Sequence, residues 1–552
     1  MEDMQAGAVC AAAKARESAG WRFTPQAIVF FSSACVMVLE LVAGRLTARH
    51  LGSSLYTWTS IIGVVLAGIS AGNYIGGKVA DRWRPERVLG WLFLAASAAC
   101  LGSLFLNRVV AGAAGGPDPA WQMAYPTRVL VSTLIVFLLP ALLLGTVSPV
   151  TAKMAIARGK GVGASVGSIY AWGAVGSIVG TFAAGFWLIA ALGAQGVVIA
   201  VACGLGLIGL ALGPWRILHA VWVAALVVVF WLSQTHSDKY FQAACGAGLQ
   251  DGLASVDANG RVKFGRYRFA RDSHYQFIQV YDDGGDGSLP GGRVIALDTL
   301  RHGYVDLNNP RHLEFEYEQI YGALTERFMN GRGALRAFFL GGGGYTFPRW
   351  VQDRFPGSRC DVAEIDPDVV EACHQAMGLP RDTSIRTIIN DARVVVDRMS
   401  PDRRYDLIIG DAFSDLAVPW HLTTVEFQRK LRDHLAGGGV VLTNVIEDFH
   451  AGGLFLGAYI ATARKVFKHV FVFCTYASGV GGGHDNFIIV ATDRDDPELH
   501  DYLQALGPGH WTAFPGSLLT EEDLATLAAR NGGRILTDDN APVENLLAPI
   551  VR

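Results

Sequence analysis

The sequence predicts a multi-pass α-helical membrane domain joined to a soluble α/β domain that opens with a small β subdomain. Three observations carry this expectation. Long apolar runs fill the first half of the chain and stop near residue 234. A short apolar run, Ala337–Leu340, stops at four consecutive glycines, Gly341 to Gly344. A second strand-like run about twenty residues on ends in acid, as Asp361-Val362-Ala363-Glu364-Ile365-Asp366.

The bulk numbers agree. A chain of 552 residues exceeds one ordinary domain. Its 51% hydrophobic content and mean hydropathy of +0.30 are high for a soluble enzyme and place part of the chain in a bilayer. A net charge of −3 gives no global pull toward nucleic acid, so no nucleic-acid partner is expected. No two of the eight cysteines are spaced C-x-x-C, which argues against a zinc site or redox pair; they read as small buried apolar residues, and no metal is expected.

Residues 1–24 form a polar, Ala-rich tail carrying Lys14, Arg16 and Arg22, with no small-residue cleavage site after the first apolar run. Residues 25–234 hold about seven apolar spans, roughly 26–44, 55–78, 88–107, 129–150, 164–190, 196–213 and 217–234, each near the ~20 residues that cross a bilayer as a helix. The fifth contains Gly163-x-x-x-Gly167 and Gly176-x-x-x-Gly180, spacings that let helices approach closely. Glu40 lies inside the first span, either as a helix-end carboxylate near Arg45 or as a functional intramembrane acid. Lys78, Arg82, Arg84 and Arg87 follow span two, and Lys153, Arg158 and Lys160 follow span four. Positive charge marks the cytoplasmic side, so the N-terminus is expected inside. Gly76-Gly77-Lys78-Val79-Ala80-Asp81-Arg82-Trp83-Arg84 also resembles the cytoplasmic loop signature of major facilitator transporters.

From about residue 235 no run reaches spanning length. Residues 235–330 read as a hairpin-rich β subdomain: His274–Tyr281 alternates, a Gly/Asp turn follows at 283–292, and Arg293–Asp298 returns. Glu314–Phe328 has helical spacing. Residues 331–552 alternate strand and helix patterns, which implies a parallel sheet with covering helices. Strand, glycine turn, helix, strand and terminal acid form the nucleoside-binding half of a Rossmann-like sheet, where the acid accepts from ribose hydroxyls. Tyr405-Asp406-Leu407-Ile408-Ile409-Gly410-Asp411 is a further strand ending in an acid, and Leu435–Asn444 reads as a hairpin-like Gly turn followed by a strand. Glu364, Asp391 and Asp411 are all expected at the carboxyl edge of the sheet, where ligands bind.

Taken in order, Tyr275-Gln276, Leu297-Asp298, the turn 341–344, Glu364-Ile365-Asp366, Asp391-Ala392, Tyr405–Asp411 and Leu422-Thr423-Thr424-Val425-Glu426-Phe427 resemble the polyamine aminopropyltransferases, or spermidine synthases, a branch of the class I methyltransferase-like Rossmann fold. With its apolar first half and its terminal Leu536–Glu544, the whole chain is similar to membrane-fused spermidine-synthase-like proteins of bacteria. The resemblance implies transfer of an aminopropyl group from decarboxylated S-adenosylmethionine to an amine, releasing methylthioadenosine, without a metal. It assigns Glu364 to the ribose hydroxyls, Asp391 with Ala392 to the adenine, and Gln276 and the turn Gly341, Gly342 and Gly343 to the donor pocket. Asp411 becomes the catalytic carboxylate, and Tyr275 and Asp415 face the acceptor. Asp415 could equally be a solvated loop acid. A homodimer is expected, since the family commonly dimerises.

Three departures bear on the donor. Where the family turn continues with an Asp for the donor's amine, this chain has Gly344 and then Tyr345. Three residues past Asp411 stands Ser414, with the acid one further on at Asp415. A family Tyr-His-Glu reads Tyr317-Glu318-Gln319 here. Loss of the turn acid removes a charge that would repel a carboxylate, so intact S-adenosylmethionine is a second candidate donor, for methyl transfer or cleavage. A non-enzymatic transporter with a nucleoside-sensing domain is the third reading. Seven spans would leave the soluble half outside, away from its cytosolic cosubstrate. The reading taken is that one run does not cross and the catalytic half lies in the cytoplasm at the bacterial inner membrane.

Overall fold

The computed structural model describes residues 24–114, 123–157, 161–212, 216–235, 254–256, 262–264, 267–283, 292–298, 300–412, 418–475, 485–495, 501 and 517–547. The chain divides into a helical N-terminal unit and an α/β C-terminal unit.

The helical unit contains α1 (Pro25–Leu51), α2 (Leu55–Arg82), α3 (Pro85–Ala114), α4 (Tyr125–Gly145), α5 (Val147–Ala157), α6 (Val162–Ala183), α7 (Ile189–Leu212) and α8 (Arg216–Thr235). Among the described residues, five helical runs are long and apolar enough to cross a membrane, the last of them 51 residues, Val162–Leu212. At 1.5 Å per residue that run is more than twice the hydrocarbon thickness. Gly193 divides it, with φ 69° and ψ 161°, a conformation open to glycine. The arm before the break packs on α1 and the arm after it on α3, and the break falls between the runs 164–190 and 196–213 read as separate spans from sequence. A short π-helical stretch, Ala184–Leu188, precedes the break.

The two glycine pairs of α6 part company. A side-chain carbon on Gly176 would lie 2.2 Å from the Phe30 carbonyl oxygen, and one on Gly180 2.4 Å from that of Ala34. These glycines therefore set the contact with α1, as the spacing predicted. Gly163 and Gly167 face open space and hold no helix, a correction to the same expectation. Glu40 is half-buried on α1.

The α/β unit opens with β1 (Ala254–Val256) and β2 (Val262–Phe264), an antiparallel pair. Next comes a four-stranded antiparallel sheet of β3 (Tyr267–Asp272), β4 (Phe277–Asp282), β5 (Gly292–Leu297) and β6 (Leu300–Asp306), in sequence order. The predicted hairpin is β4–β5, with Ile278 opposite Leu297 and Asp282 opposite Arg293. Helix α9 (Glu316–Phe328) follows.

The main sheet is built from β7 (Arg336–Leu340), β8 (Arg359–Glu364), β9 (Arg386–Ile389), β10 (Tyr405–Gly410), β11 (Leu435–Glu447), β12 (His469–Cys474), β13 (Asp485–Thr492) and β14 (Ser517–Leu518). Their spatial order is β14-β12-β13-β11-β10-β7-β8-β9. Strands β9, β8, β7, β10 and β11 run parallel, and β13, β12 and β14 continue antiparallel. The covering helices include α10 (Thr346–Arg354), α11 (Pro367–Ala376), α12 (Ala392–Asp397), α13 (Val425–Asp433), α14 (Leu454–Ala463), α15 (Glu521–Asn531) and α16 (Val543–Leu547).

Both faces of this sheet are buried, which is why its strands read as continuous apolar runs. Ala337 and Phe339 enter one core with Val362, Leu407 and Ile409, while Phe338 and Leu340 enter the other with Ala363 and Ile408. The segment expected as a hairpin-like turn and strand, Leu435–Asn444, is instead one long strand paired parallel to β10 with a register shift, so Gly437 to Gly439 form an irregularity at its start. The order reverses between β7 and β10, and a crevice opens outside the carboxyl ends of such neighbours.

Candidate active site

The turn after β7 is shaped by contact with the turn after β10. Gly341 has φ 97°, and a side-chain carbon there would meet the Asp411 carbonyl oxygen at 2.5 Å. Its N–H donates to the Ala363 carbonyl (2.9 Å), and the Asp411 N–H donates to the Leu340 carbonyl (3.1 Å). Three strand ends, β8, β7 and β10, are thereby laced together.

Glu364 ends β8 and is 7% exposed. Its Oε2 accepts from the Gly342 N–H (2.7 Å) and its Oε1 from the Asp366 N–H (2.9 Å). Burial pushes its pKa up, opposed by these backbone donors. The Ile365 backbone N–H also serves this carboxylate, and of its roughly four acceptor sites at least one stays open, so it is oriented without being used up. Asp366 in turn caps α11 through Asp368 N (3.0 Å) and accepts from Ser273 Oγ of the small sheet. The Ser273 hydroxyl also receives the N–H groups of Tyr275 and Gln276, both at 3.0 Å, which fixes that turn beside Glu364.

Asp391 has both carboxylate oxygens engaged. Oδ1 caps α12 by accepting from Arg393 N (2.8 Å) and Val394 N (3.2 Å), and Oδ2 lies 2.8 Å from His421 Nε2. His421 belongs to the short 3-10 turn Trp420–Leu422. Arg393 pins that turn, donating to the His421 carbonyl (2.8 Å) and forking onto Asp538 at 2.7 and 2.5 Å. Thr424 Oγ1 donates to the same aspartate at 2.7 Å. The terminal Asp538 is thus a brace for the loop over the site.

Asp411 follows β10 and faces the cavity. Its Oδ1 accepts from Asn444 Nδ2 at 3.3 Å, and the Tyr317 hydroxyl lies against the same carboxylate. Burial pushes its pKa up to about 6, against the pull of those two donors. A carboxylate whose proton affinity is raised toward neutrality, yet which is still mostly ionised there, is suited to accept a proton.

One cavity of about 660 Å³ is lined by Tyr275, Gln276, Gly341, Gly342, Gly343, Glu364, Asp391, Ala392 and Asp411. That volume suits a nucleotide-sized ligand with a small partner. Every described residue singled out from sequence meets there, and Asp415 lies outside the described residues. Four residues were missed as site residues: Tyr317, Glu318, Asn444 and Arg393. The signal for the first two was the match of Tyr317-Glu318-Gln319 to the family Tyr-His-Glu, noted above as a departure without a site role. Asn444 gave none, because only the pairing of β11 with β10 brings it to Asp411. Among the described residues, no group of three or more His, Cys, Asp or Glu is placed to hold a metal ion.

No family model matches the chain. It is 31% identical over 113 residues to the polyamine aminopropyltransferase of Vibrio vulnificus, covering 20% of this chain and 38% of that protein. It is 28% identical over 109 residues to a protein of Bifidobacterium longum named probable polyamine aminopropyl transferase, covering 20% and 24%. The chain therefore spans well under half the length of the curated relatives it matches. A crystal structure named as a probable spermidine synthase from Corynebacterium glutamicum aligns with 50% of this chain and 97% of its own at 25% identity, with a TM-score of 0.42.

Proposed function

We propose that this chain, a relative of the polyamine aminopropyltransferases through its α/β unit, moves an aminopropyl group from decarboxylated S-adenosylmethionine to an amine and releases methylthioadenosine. The observation that carries the reading is the shared cavity of Glu364 and Asp411, one carboxylate held by backbone donors and the other shifted toward neutrality.

Glu364 takes the ribose hydroxyls on its spare lone pairs. Asp391 and Ala392 flank the adenine, with the loop Trp420–Leu422 closing over it. The glycine turn lets backbone approach the nucleoside, and Gln276 and Tyr275 close the far wall. Asp411 orients the incoming amine and takes its proton, directly or through one water. The freed lone pair attacks the methylene carbon beside sulfur, a C–N bond forms, the C–S bond breaks, and the pair returns to sulfur as the neutral thioether. The sulfonium's positive charge ends on the alkylated nitrogen, now a secondary ammonium, and the proton that Asp411 took from the acceptor leaves to solvent. Holding the two reactants in line contributes much of the rate, and no covalent enzyme intermediate is required.

Incubating purified protein separately with decarboxylated and with intact S-adenosylmethionine, each with a panel of diamines, tests the reading. Methylthioadenosine in equal amount with a longer amine is expected. S-adenosylhomocysteine from the intact donor, or methylthioadenosine without an amine product, would instead support the second reading, use of intact S-adenosylmethionine, to which the missing acid at Gly344, taken alone, points. Asp411→Asn is expected to abolish turnover while sparing donor binding.

The helical unit anchors the enzyme in the bacterial inner membrane with the α/β unit on the cytoplasmic side, where the donor is made. Support comes from the five long apolar helical runs and from the basic residues Lys78, Arg82, Arg84 and Arg87 about the junction of α2 and α3 and Lys153, Arg158 and Lys160 about the end of α5. Alkaline carbonate should leave the protein in the membrane pellet.

A further inference from the structure

The cavity contains a carboxylate to which the roles above give no work. Glu318 sits on α9, is 4% exposed, and lines the same cavity as Asp411. Its Oε2 is buried and has no hydrogen-bond partner among the described residues. The Phe315 backbone and Thr346 lie beside the carboxylate, the Thr346 hydroxyl itself donating to the Tyr304 carbonyl (2.8 Å), and the strongest charge acting on it is Asp411, of the same sign. A desolvated carboxylate with an unused acceptor beside a second carboxylate is costly, and proteins retain such an arrangement where a cation arrives to neutralise it. A second orphan points the same way. Asn444 is 3% exposed, turns its amide nitrogen to Asp411, and leaves Oδ1 buried without a partner on the cavity wall.

Position says which cation. Gly344 occupies the turn position where an acid would be expected to meet the donor's amine, and a side-chain carbon built there would lie 3.2 Å from Thr346 Oγ1. The hydroxyl that such a side chain would meet is the one already against Glu318. Glu318, from the helix, and Gly344, from the turn, line the same cavity. Resting on the function proposed above, we propose that Glu318 binds the primary ammonium of the donor's aminopropyl chain and so selects the decarboxylated donor. Intact S-adenosylmethionine would bring its own carboxylate against Glu318 and Asp411 together. The missing turn acid is then a relocation of the charge, and it does not open the pocket to the intact molecule.

Calorimetry on the full-length protein in detergent tests this with three ligands: decarboxylated S-adenosylmethionine, intact S-adenosylmethionine, and methylthioadenosine, which lacks the ammonium. The wild type should bind the decarboxylated donor more tightly than either of the others. Glu318→Gln should weaken the decarboxylated donor by about 10- to 100-fold, the span of one charge-assisted hydrogen bond, and narrow its margin over intact S-adenosylmethionine. Methylthioadenosine affinity should stay unchanged, which also shows that the variant is folded. Equal wild-type affinity for the decarboxylated and intact donors overturns the proposal without any variant. So does a Glu318→Gln loss that is the same for methylthioadenosine as for the decarboxylated donor. Failure of the wild type to bind any of the three ligands would instead remove the adenosyl-site reading on which this proposal stands.

Discussion

Replacing Asn444 by leucine should move the pH dependence of turnover by a calculable amount. Asn444 is buried, and its amide nitrogen lies 3.3 Å from Asp411 Oδ1, where it supports the ionised carboxylate. Hydrogen bonds to charged groups contribute ~1.5 to 3 kcal/mol. The length of this one places it at the lower end, and ~1.4 kcal/mol is one pKa unit. Leucine fills similar volume without a donor and keeps water out. Asp411 titrates at about 6 in the native protein, so the variant should titrate about one unit higher. The assay is kcat/KM for the decarboxylated donor and a diamine, measured from pH 5 to 9. The acid limb should shift upward, giving roughly a fivefold loss at pH 6 beyond any loss that remains at high pH, because only the ionised form accepts a proton. In kcat itself the limb should lie lower, since bound cations favour the carboxylate. A uniform loss at every pH, or an unmoved limb with full activity, would refute the assignment of Asn444 as the group that sets the Asp411 proton affinity.

Three further outcomes follow from the same geometry. Burial raises Asp411 above its unfolded value of about 3.9, so the folded state binds more protons between roughly pH 4 and 6, and this group's contribution to stability falls as pH rises through that window; Asp411→Asn should therefore melt higher than wild type at pH 8, checked by thermal unfolding, while making no product. Gly341→Ala should lower the melting temperature and donor affinity together, by about 2 kcal/mol or more of stability, because φ is 97° and the new carbon would press on the Asp411 carbonyl. Arg393→Lys should raise KM for the donor on the order of tenfold with little change in kcat, since lysine cannot fork onto Asp538 while holding the His421 carbonyl.

Much of this molecule is written in one-dimensional pattern. Apolar runs of bilayer length marked the helical half, because crossing a membrane is decided by local composition. The run Ala337–Leu340, its glycine turn and the acids at Glu364 and Asp411 marked the sheet and its ligand edge, because in parallel strands both faces are buried and polarity changes at the strand tip. Pattern could not show that Gly176 and Gly180 hold α1 while Gly163 and Gly167 hold nothing, since the two pairs are alike until a partner helix is placed against them. Nor could it find Asn444, 33 positions from the carboxylate it serves, or reveal that Leu435–Asn444 begins as one irregular strand. The cavity makes the division plain. Sequence alone showed an acid missing at position 344; only packing of α9 against the sheet brings Glu318 into the cavity beside that position. Spacing along a chain reports the neighbours of each residue on its own helix or strand, whereas the charge felt at a point in a cavity is the sum over every element that closes around it.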